Sequence, residues 1–334
     1  MFIILGNGFT IDLINLIGKQ DQIDVNNLFR FGNYVPWPPT GEPGFLSFKR
    51  CPNLWNLGAR PYMSNPESLS LIEDIITCAN VSASSNGNGD NLYIRAYKEL
   101  AIYLKHLFIY YDNKIIDDEL KPLIDKFGWI KLFTKLNQST IYDEIFIVTY
   151  NYDIWLERIL RLAGINFMIG VLEQPQIIPK FSIVKPHGSI SFAHKLVLDK
   201  ESFDIGYKKT LRDLLEGDPE DFSVKYTDLD HNYLINSIIP PAGDSERLEF
   251  GWAKTLRQYA KGKASELTAT DEIIICGISY WNVDRNEIDE ILTSLTKDIN
   301  LKLVNPNPPR ALNAVISSLF DNYLCYTSSD LLGV

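Results

Sequence analysis

A chain of 334 residues has room for one large domain, or for a core domain that carries a sizeable insertion. Its 46% hydrophobic and 22% charged residues are ordinary for a soluble globular protein, and no uninterrupted apolar run reaches transmembrane length. A net charge of −10 argues against non-specific nucleic-acid binding, which feeds on clustered Lys and Arg, although Lys208-Lys209 or Lys261-Gly262-Lys263 could contribute to a local basic patch.

Phe2-Ile3-Ile4-Leu5 reads as a buried strand, and Gly6-Asn7-Gly8-Phe9-Thr10 follows at once. A helix is expected to open near Thr10. The two glycines fit either a tight turn capped by Thr10 or a backbone that approaches a diphosphate at a helix N-terminus. Residues 18–64 dissolve into Pro, Gly, Trp and Asn, a long irregular segment of the kind that is usually functional or mobile. Helical periodicity returns with Asn65 as N-cap and Pro66 at N1. Ser84-Ser85-Asn86-Gly87-Asn88-Gly89-Asp90 reads as a flexible break. Residues 92–111 form a strongly apolar helix whose Tyr97, Tyr103, Phe108, Tyr110 and Tyr111 are expected to pack inward, and 115–136 hold one or two more helices.

Ile145-Phe146-Ile147-Val148-Thr149 has the β-branched, aromatic character of a strand buried on both faces. It turns polar at Tyr150-Asn151-Tyr152-Asp153 and runs into a helix whose Trp155, Leu156, Ile159, Leu160 and Ala163 share one face, with Gly164 at C′. Asn151 and Asp153 therefore fall where a strand's carboxyl end meets a helix's amino end. That is the ligand-binding rim of an open α/β sheet, although either residue could equally cap the helix. Residues 167–171 and 181–184 read as strands, the second ending in Lys185-Pro186-His187-Gly188-Ser189. Residues 193–230 are a charged, loop-rich excursion, 233–241 a strand returning to the core, and 246–261 an amphipathic helix. The last third alternates cleanly. A strand over 272–276 ends in Gly277-Ile278-Ser279, and Asp284 caps a helix carrying Ile288, Ile291, Leu292 and Leu295. A strand over 301–304 ends at Asn305, Pro308-Pro309 open another helix, and 323–326 form the last strand. Strands alternating with helices at this spacing predict a Rossmann-like, doubly wound, mostly parallel sheet.

The cysteines Cys51, Cys78, Cys276 and Cys325 are scattered with no C-x-x-C pair, which speaks against a structural zinc site or a disulfide framework and for a reducing compartment. Met1 to Gly6 is too short for a secretion signal and lacks a basic n-region, so a cytoplasmic protein without membrane attachment is expected.

Five polar strand ends are thus expected at one rim: Gly6-Asn7-Gly8, Thr149 to Asp153, Lys185 to Ser189, Gly277 to Ser279, and Asn305. In order and spacing they resemble the sirtuin-like NAD-binding family, with its glycine-rich first turn, T-x-N-x-D, His-Gly, G-x-S and final I/V-N elements. Lys185-Pro186-His187-Gly188-Ser189 has the K-x-H-G-S form of the bacterial sirtuin-like branch. The four zinc-binding cysteines of the deacylases are absent, and Thr10-Ile11-Asp12-Leu13 stands where those enzymes carry a G-I-P-D-F-R-like segment. The resemblance implies one sirtuin-like domain over 1–334, with a core of 1–20 plus 140–334, an irregular and helical insertion at 21–139 and an excursion at 193–231. It also implies an NAD+ hydrolase of bacterial anti-phage defence that uses NAD+ as substrate and no metal. A homo-oligomer or a regulatory partner from the same defence operon would gate it.

The nicotinamide of NAD+ leaves as a neutral molecule, so its departure needs no acid, unlike the usual two-carboxylate glycosidase. The site must instead stabilise an oxocarbenium-like ribose and position a water. On this reading Asn151 orients the water and the ribose hydroxyls and Asp153 meets the nicotinamide amide. His187 is the general base, its side chain's ordinary pKa of about 6.5 suiting neutral pH. Gly6, Asn7, Gly8, Phe9 and Thr10 would hold the diphosphate, and Gly277, Ser279 and Asn305 the adenosine half; Thr149, Gly188 and Ser189 complete the set. The competing expectation is a sensor module that binds NAD+ or ADP-ribose without cleaving it and signals to a partner protein.

Overall fold

The computed structural model describes residues 1–83, 91–205, 216–240, 251–280 and 285–332. The chain divides into two compact units, one of 1–19, 115–186 and 255–334 and the other of 20–114 and 187–254.

The first unit is built on seven parallel strands: β1 (Phe2–Leu5), β2 (Ile145–Thr149), β3 (Phe167–Ile169), β4 (Phe181–Val184), β7 (Glu272–Cys276), β8 (Asn300–Val304) and β9 (Tyr323–Tyr326), in the order β3-β4-β2-β1-β7-β8-β9. β1 is the centre. All four of its residues are fully buried, paired to β2 from Phe2↔Phe146 to Leu5↔Thr149 and to β7 from Phe2↔Ile273 to Leu5↔Cys276. That burial on both faces is why these strands read as unbroken apolar runs rather than as alternating ones. At the edges, β3 has only three residues and β9 is half-exposed. Helices α1 (Asn7–Ile17), α5 (Asp117–Leu120), α6 (Gly128–Gln138), α7 (Trp155–Leu162), α9 (Arg285–Ser294) and α10 (Arg310–Leu319) belong to this unit, as does most of α8 (Gly251–Ser265). An aromatic chain joins sheet to helices: Phe9 meets Trp129 at 5.6 Å, Trp129 meets Phe133 at 5.7 Å, and Phe133 meets Phe181 at 6.0 Å. Gly164 ends α7 in the left-handed conformation, as its place in the sequence predicts.

The second unit holds α2 (Pro52–Asn56), α3 (Asn65–Ala83) and α4 (Leu92–Asp112), together with the antiparallel pair β5 (Phe192–His194) and β6 (Phe222–Val224). α4 is buried over most of its surface, Tyr97, Tyr103, Phe108 and Tyr111 included, and Tyr110 is half-buried. Tyr103 and Tyr111 donate their hydroxyls to the carbonyls of Leu28 and Asp24, tying the irregular 18–64 segment to the helix. Buried Glu99 accepts from the backbone N–H groups of Asn53 and Leu54, holding the start of α2.

Several expectations change. α1 starts at Asn7, three residues early, and Thr10 lies inside it rather than capping it. Ser64, not Asn65, forms the capping box of α3, accepting from Glu67 while Glu67 Oε2 accepts from the Ser64 N–H. Residues 233–240 form no sheet strand; they make isolated bridges at Gly188↔Ile238 and Val197↔Tyr233, within the second unit. Residues 115–139, expected inside one insertion of 21–139, group with the sheet, whereas 187–254 group with 20–114. The expected break at 84–90, Lys208-Lys209, residues 246–250, Pro241 and the Asp284 cap lie outside the described residues. Among the described residues no helix is long and apolar enough to cross a membrane.

Candidate functional site

β1 and β7 are neighbours, yet the chain continues from β1 to β2 on one side and from β7 to β8 on the other. This reversal is a topological switch point, the place where open parallel sheets bind ligands beyond the carboxyl ends of their strands. Two turns meet there. Gly8 donates its N–H to the Gly277 carbonyl at 3.2 Å, and Gly6 donates to Cys276 O at 2.9 Å. A Cβ on Gly8 would stand 2.3 Å from the Gly277 Cα, and Gly277 has φ of +60°. The glycines are thus demanded by the packing of one turn on the other. The Phe9 N–H is donated to Gly6 O at 3.1 Å and its ring is buried against Trp129 and Phe127. Neither the Gly8 nor the Phe9 N–H therefore points to a diphosphate; Asn7, at the first position of α1, is the exposed residue of the turn.

Behind the switch point lies a buried polar network. β2 ends at Thr149, whose Oγ1 accepts from the Asn151 N–H at 3.3 Å. The Asn151 carboxamide donates through Nδ2 to the Gly6 carbonyl at 3.1 Å and to Thr10 Oγ1 at 2.9 Å. A carbonyl oxygen can only accept, so the nitrogen must face Gly6 and Oδ1 must face the other way. Asn151 is 5% exposed, and its Oδ1 has no hydrogen-bond partner among the described residues. Such an orphaned acceptor costs about 1–3 kcal/mol unless something donates to it.

The Thr10 hydroxyl donates to Asp153 Oδ2 at 2.8 Å, while Asp153 Oδ1 accepts from the Trp155 N–H at 3.0 Å. Asp153 therefore caps α7 and has both oxygens engaged. Lys185, just past β4, donates Nζ to the Asp153 carbonyl and to Glu157 Oε1 at 2.9 Å, with both charged side chains fully buried. Burial pushes the Asp153 pKa up to about 6, against the pull of Lys185 and the hydrogen bonds from Trp155 and Thr10. Lys185 and Glu157 escaped notice as a pair in the sequence. The available signal was the spacing of Glu157, which puts it one helical turn after Asp153 on the buried side of α7.

The His-Gly-Ser stretch belongs to the second unit. His187 is buried and its carbonyl accepts from Ile239 N–H at 3.1 Å. Gly188 has φ of +85°, and a Cβ there would fall 1.7 Å from Ser237 O, so only glycine fits. The Ser189 N–H donates to Ser237 O, Ser237 Oγ donates back to Ser189 O, and Ser189 Oγ pairs with Ser191 Oγ. This turn is locked by the 236–239 segment.

Of the sequence-predicted residues, the first unit thus brings together Gly6, Gly8, Thr10, Thr149, Asn151, Asp153 and Gly277, and the second holds His187, Gly188 and Ser189. Ser279 is exposed just past β7. Asn305 follows β8, donates its N–H to Tyr326 O and accepts from the Asn307 N–H through Oδ1. No group of three or more His, Cys, Asp or Glu is placed to hold a metal ion among the described residues. No protein-family model matches the chain, and no curated protein sequence matches it.

Proposed function

We propose that the protein is an NAD+ glycohydrolase, converting NAD+ and water to ADP-ribose, nicotinamide and a proton. The observation that carries this reading is the orphaned Oδ1 of Asn151, a buried acceptor beside the switch point of a parallel sheet. With both amide hydrogens spent inside the protein, Asn151 meets a ligand only as an acceptor. An acceptor suits the hydroxyl protons of a ribose or the proton of an attacking water, and it also lowers the energy of an electron-poor ribose carbon nearby. The T-x-N-x-D, K-x-H-G-S and G-x-S resemblance supplies the dinucleotide, and with it a role in bacterial anti-phage defence through NAD+ depletion.

The roles differ in part from those the resemblance alone implies. Asp153 already accepts from Thr10 and from the Trp155 N–H, one on each oxygen, so its first role is to hold α1 and α7 at the rim, and a nicotinamide amide would have to share an oxygen with one of them. Gly6, Gly8 and Gly277 shape the rim, and Asn7, Ser279 and Asn305 are the polar groups along it that could meet the rest of the dinucleotide.

Purified protein incubated with NAD+ under activating conditions (high protein concentration or an added partner) should release nicotinamide. Asn151→Ala should lower the rate by on the order of a hundredfold or more, as loss of one preorganised polar group does. The base role that the resemblance implies for His187 is tested separately by His187→Ala. Turnover unchanged in Asn151→Ala would end the assignment.

A further inference from the structure

We propose that Thr10 is a positioning residue: together with the Gly6 carbonyl it clamps the Asn151 amide nitrogen, so that Oδ1 alone is presented to the ligand. This deepens the reading of Asn151 as the ligand-facing group and rests on it. The sequence offers Thr10 as a helix cap or a diphosphate contact. Its place in the network is neither, since the side chain is fully buried inside α1 with both of its hydrogen-bonding directions used.

The argument lies in the direction of each bond. A hydroxyl has one proton to give, and an ionised carboxylate can only accept. Asp153 therefore accepts the Thr10 hydroxyl's hydrogen bond, which leaves the Thr10 lone pairs facing Asn151 and able to receive only a donor. The Asn151 amide nitrogen is that donor, and its second hydrogen goes to Gly6 O. Two acceptors on one nitrogen hold the carboxamide plane, so a flip would set Oδ1 against both a carbonyl and a lone pair. Asp153 is itself held from three sides: by the Trp155 N–H on α7, by Thr10 on α1, and through its own carbonyl by Lys185 after β4, which is paired with Glu157 of α7.

The clamp is therefore polar in the sense of having a direction, and that direction depends on Asp153 being ionised. A protonated Asp153 offers its own proton to Thr10. The Thr10 hydrogen then loses its acceptor and competes with the Asn151 amide. The titratable groups facing Asp153 are Lys185 and Glu157, a mutually paired cation and anion. With the Asp153 pKa near 6, the clamp is tight above that pH and loosened below it.

The test reads Asn151 itself. In protein labelled with 15N-asparagine, the side-chain NH2 signals of Asn151 are identified by their loss in Asn151→Asp. In wild type both protons should be shifted and slow to exchange. In Thr10→Val, which keeps the shape and removes the hydroxyl, one proton should exchange at least about tenfold faster, and Thr10→Ser should restore it. Where nicotinamide release is measurable, Thr10→Val should lower kcat more than it changes KM. Folded Thr10→Val with Asn151 signals identical to wild type would overturn the proposal. Should Thr10→Val fail to fold, wild type alone decides: both Asn151 side-chain protons must be shifted and slow to exchange, and signals like those of a solvent-exposed asparagine overturn the clamp. A wild type that releases no nicotinamide at any protein concentration, with or without its partner, defeats the hydrolase reading, while the amide signals still decide the role of Thr10.

Discussion

Asp153 sits beside an ammonium and accepts two hydrogen bonds, yet its pKa is raised from 3.8 to about 6, because desolvation outweighs Lys185, Trp155 and Thr10 together. The sign of the consequence follows directly. A carboxyl that holds its proton more tightly when folded adds stability that is fully present below about pH 4 and is lost as the pH rises through about 6. At neutral pH the ionised group costs on the order of 3 kcal/mol relative to the acid limit. Asp153→Asn should remove that dependence. Urea unfolding of the two proteins at pH 4 and pH 8 should show the variant gaining on wild type by about 1–3 kcal/mol at the higher pH; parallel curves would refute the linkage. A charge kept at such a cost is the kind of local conflict that function explains, and here it sets the direction of the Thr10 hydroxyl. Asn151 and Asp153 were legible in the sequence because a polar pair interrupts an apolar run at a strand's end. The Lys185–Glu157 pair was not, since a Glu in a helix looks solvated until the tertiary fold buries it.

At the scale of elements, the first turn shows that glycine spacing alone leaves the demand for glycine open. The two glycines of Gly6-Asn7-Gly8 fit either a tight turn or a close approach to phosphate, and in the structure they are packed against the turn after β7. Gly277 and Gly164 separate the two costs of replacing a glycine. Both have positive φ, +60° and +69°, so either Ala variant pays for the left-handed backbone, about 1–2 kcal/mol. At Gly164 a Cβ meets nothing within 4 Å, whereas at Gly277 it would lie 2.2 Å from the Gly8 Cα. Gly277→Ala should therefore be the more destabilising by a further 1–3 kcal/mol or so, the usual cost of overpacking. Thermal unfolding of the two variants checks this, and equal losses would mean that the turns move apart freely. The sheet strands were legible for a related reason: burial on both faces leaves only apolar residues to use. Residues 233–240 have the same signature without the ladder. Ile238 and Ile239 are buried, but the backbone there bonds to the His-Gly-Ser turn, and an apolar run cannot reveal which partner its N–H groups take.

For the whole molecule, the alternation of strands and helices foretold an α/β protein with a parallel sheet, and the order of strands around β1 completes it. The second unit was less legible because its residues come from two stretches, 20–114 and 187–254, separated by three sheet strands. Contacts such as Lys105 Nζ over the Tyr233 ring, at 4.6 Å, join residues that no local periodicity links. The proposed activity sets one further demand at this scale. A hydrolase of NAD+ that acted freely would drain the cell that makes it, so the isolated chain should be slow until it assembles or meets a partner. Each chain carries a net charge of −10, and copies of it repel one another over a Debye length that shrinks from about 30 Å at 0.01 M salt to about 8 Å at 0.15 M. If self-assembly is the gate, the rate per chain should rise with protein concentration, and the rise should begin at lower concentration as salt is added. If a partner is the gate, the rate should instead be flat in protein concentration and jump when the partner is supplied. Full activity in a dilute chain shown to be monomeric by sedimentation would leave no gate to explain.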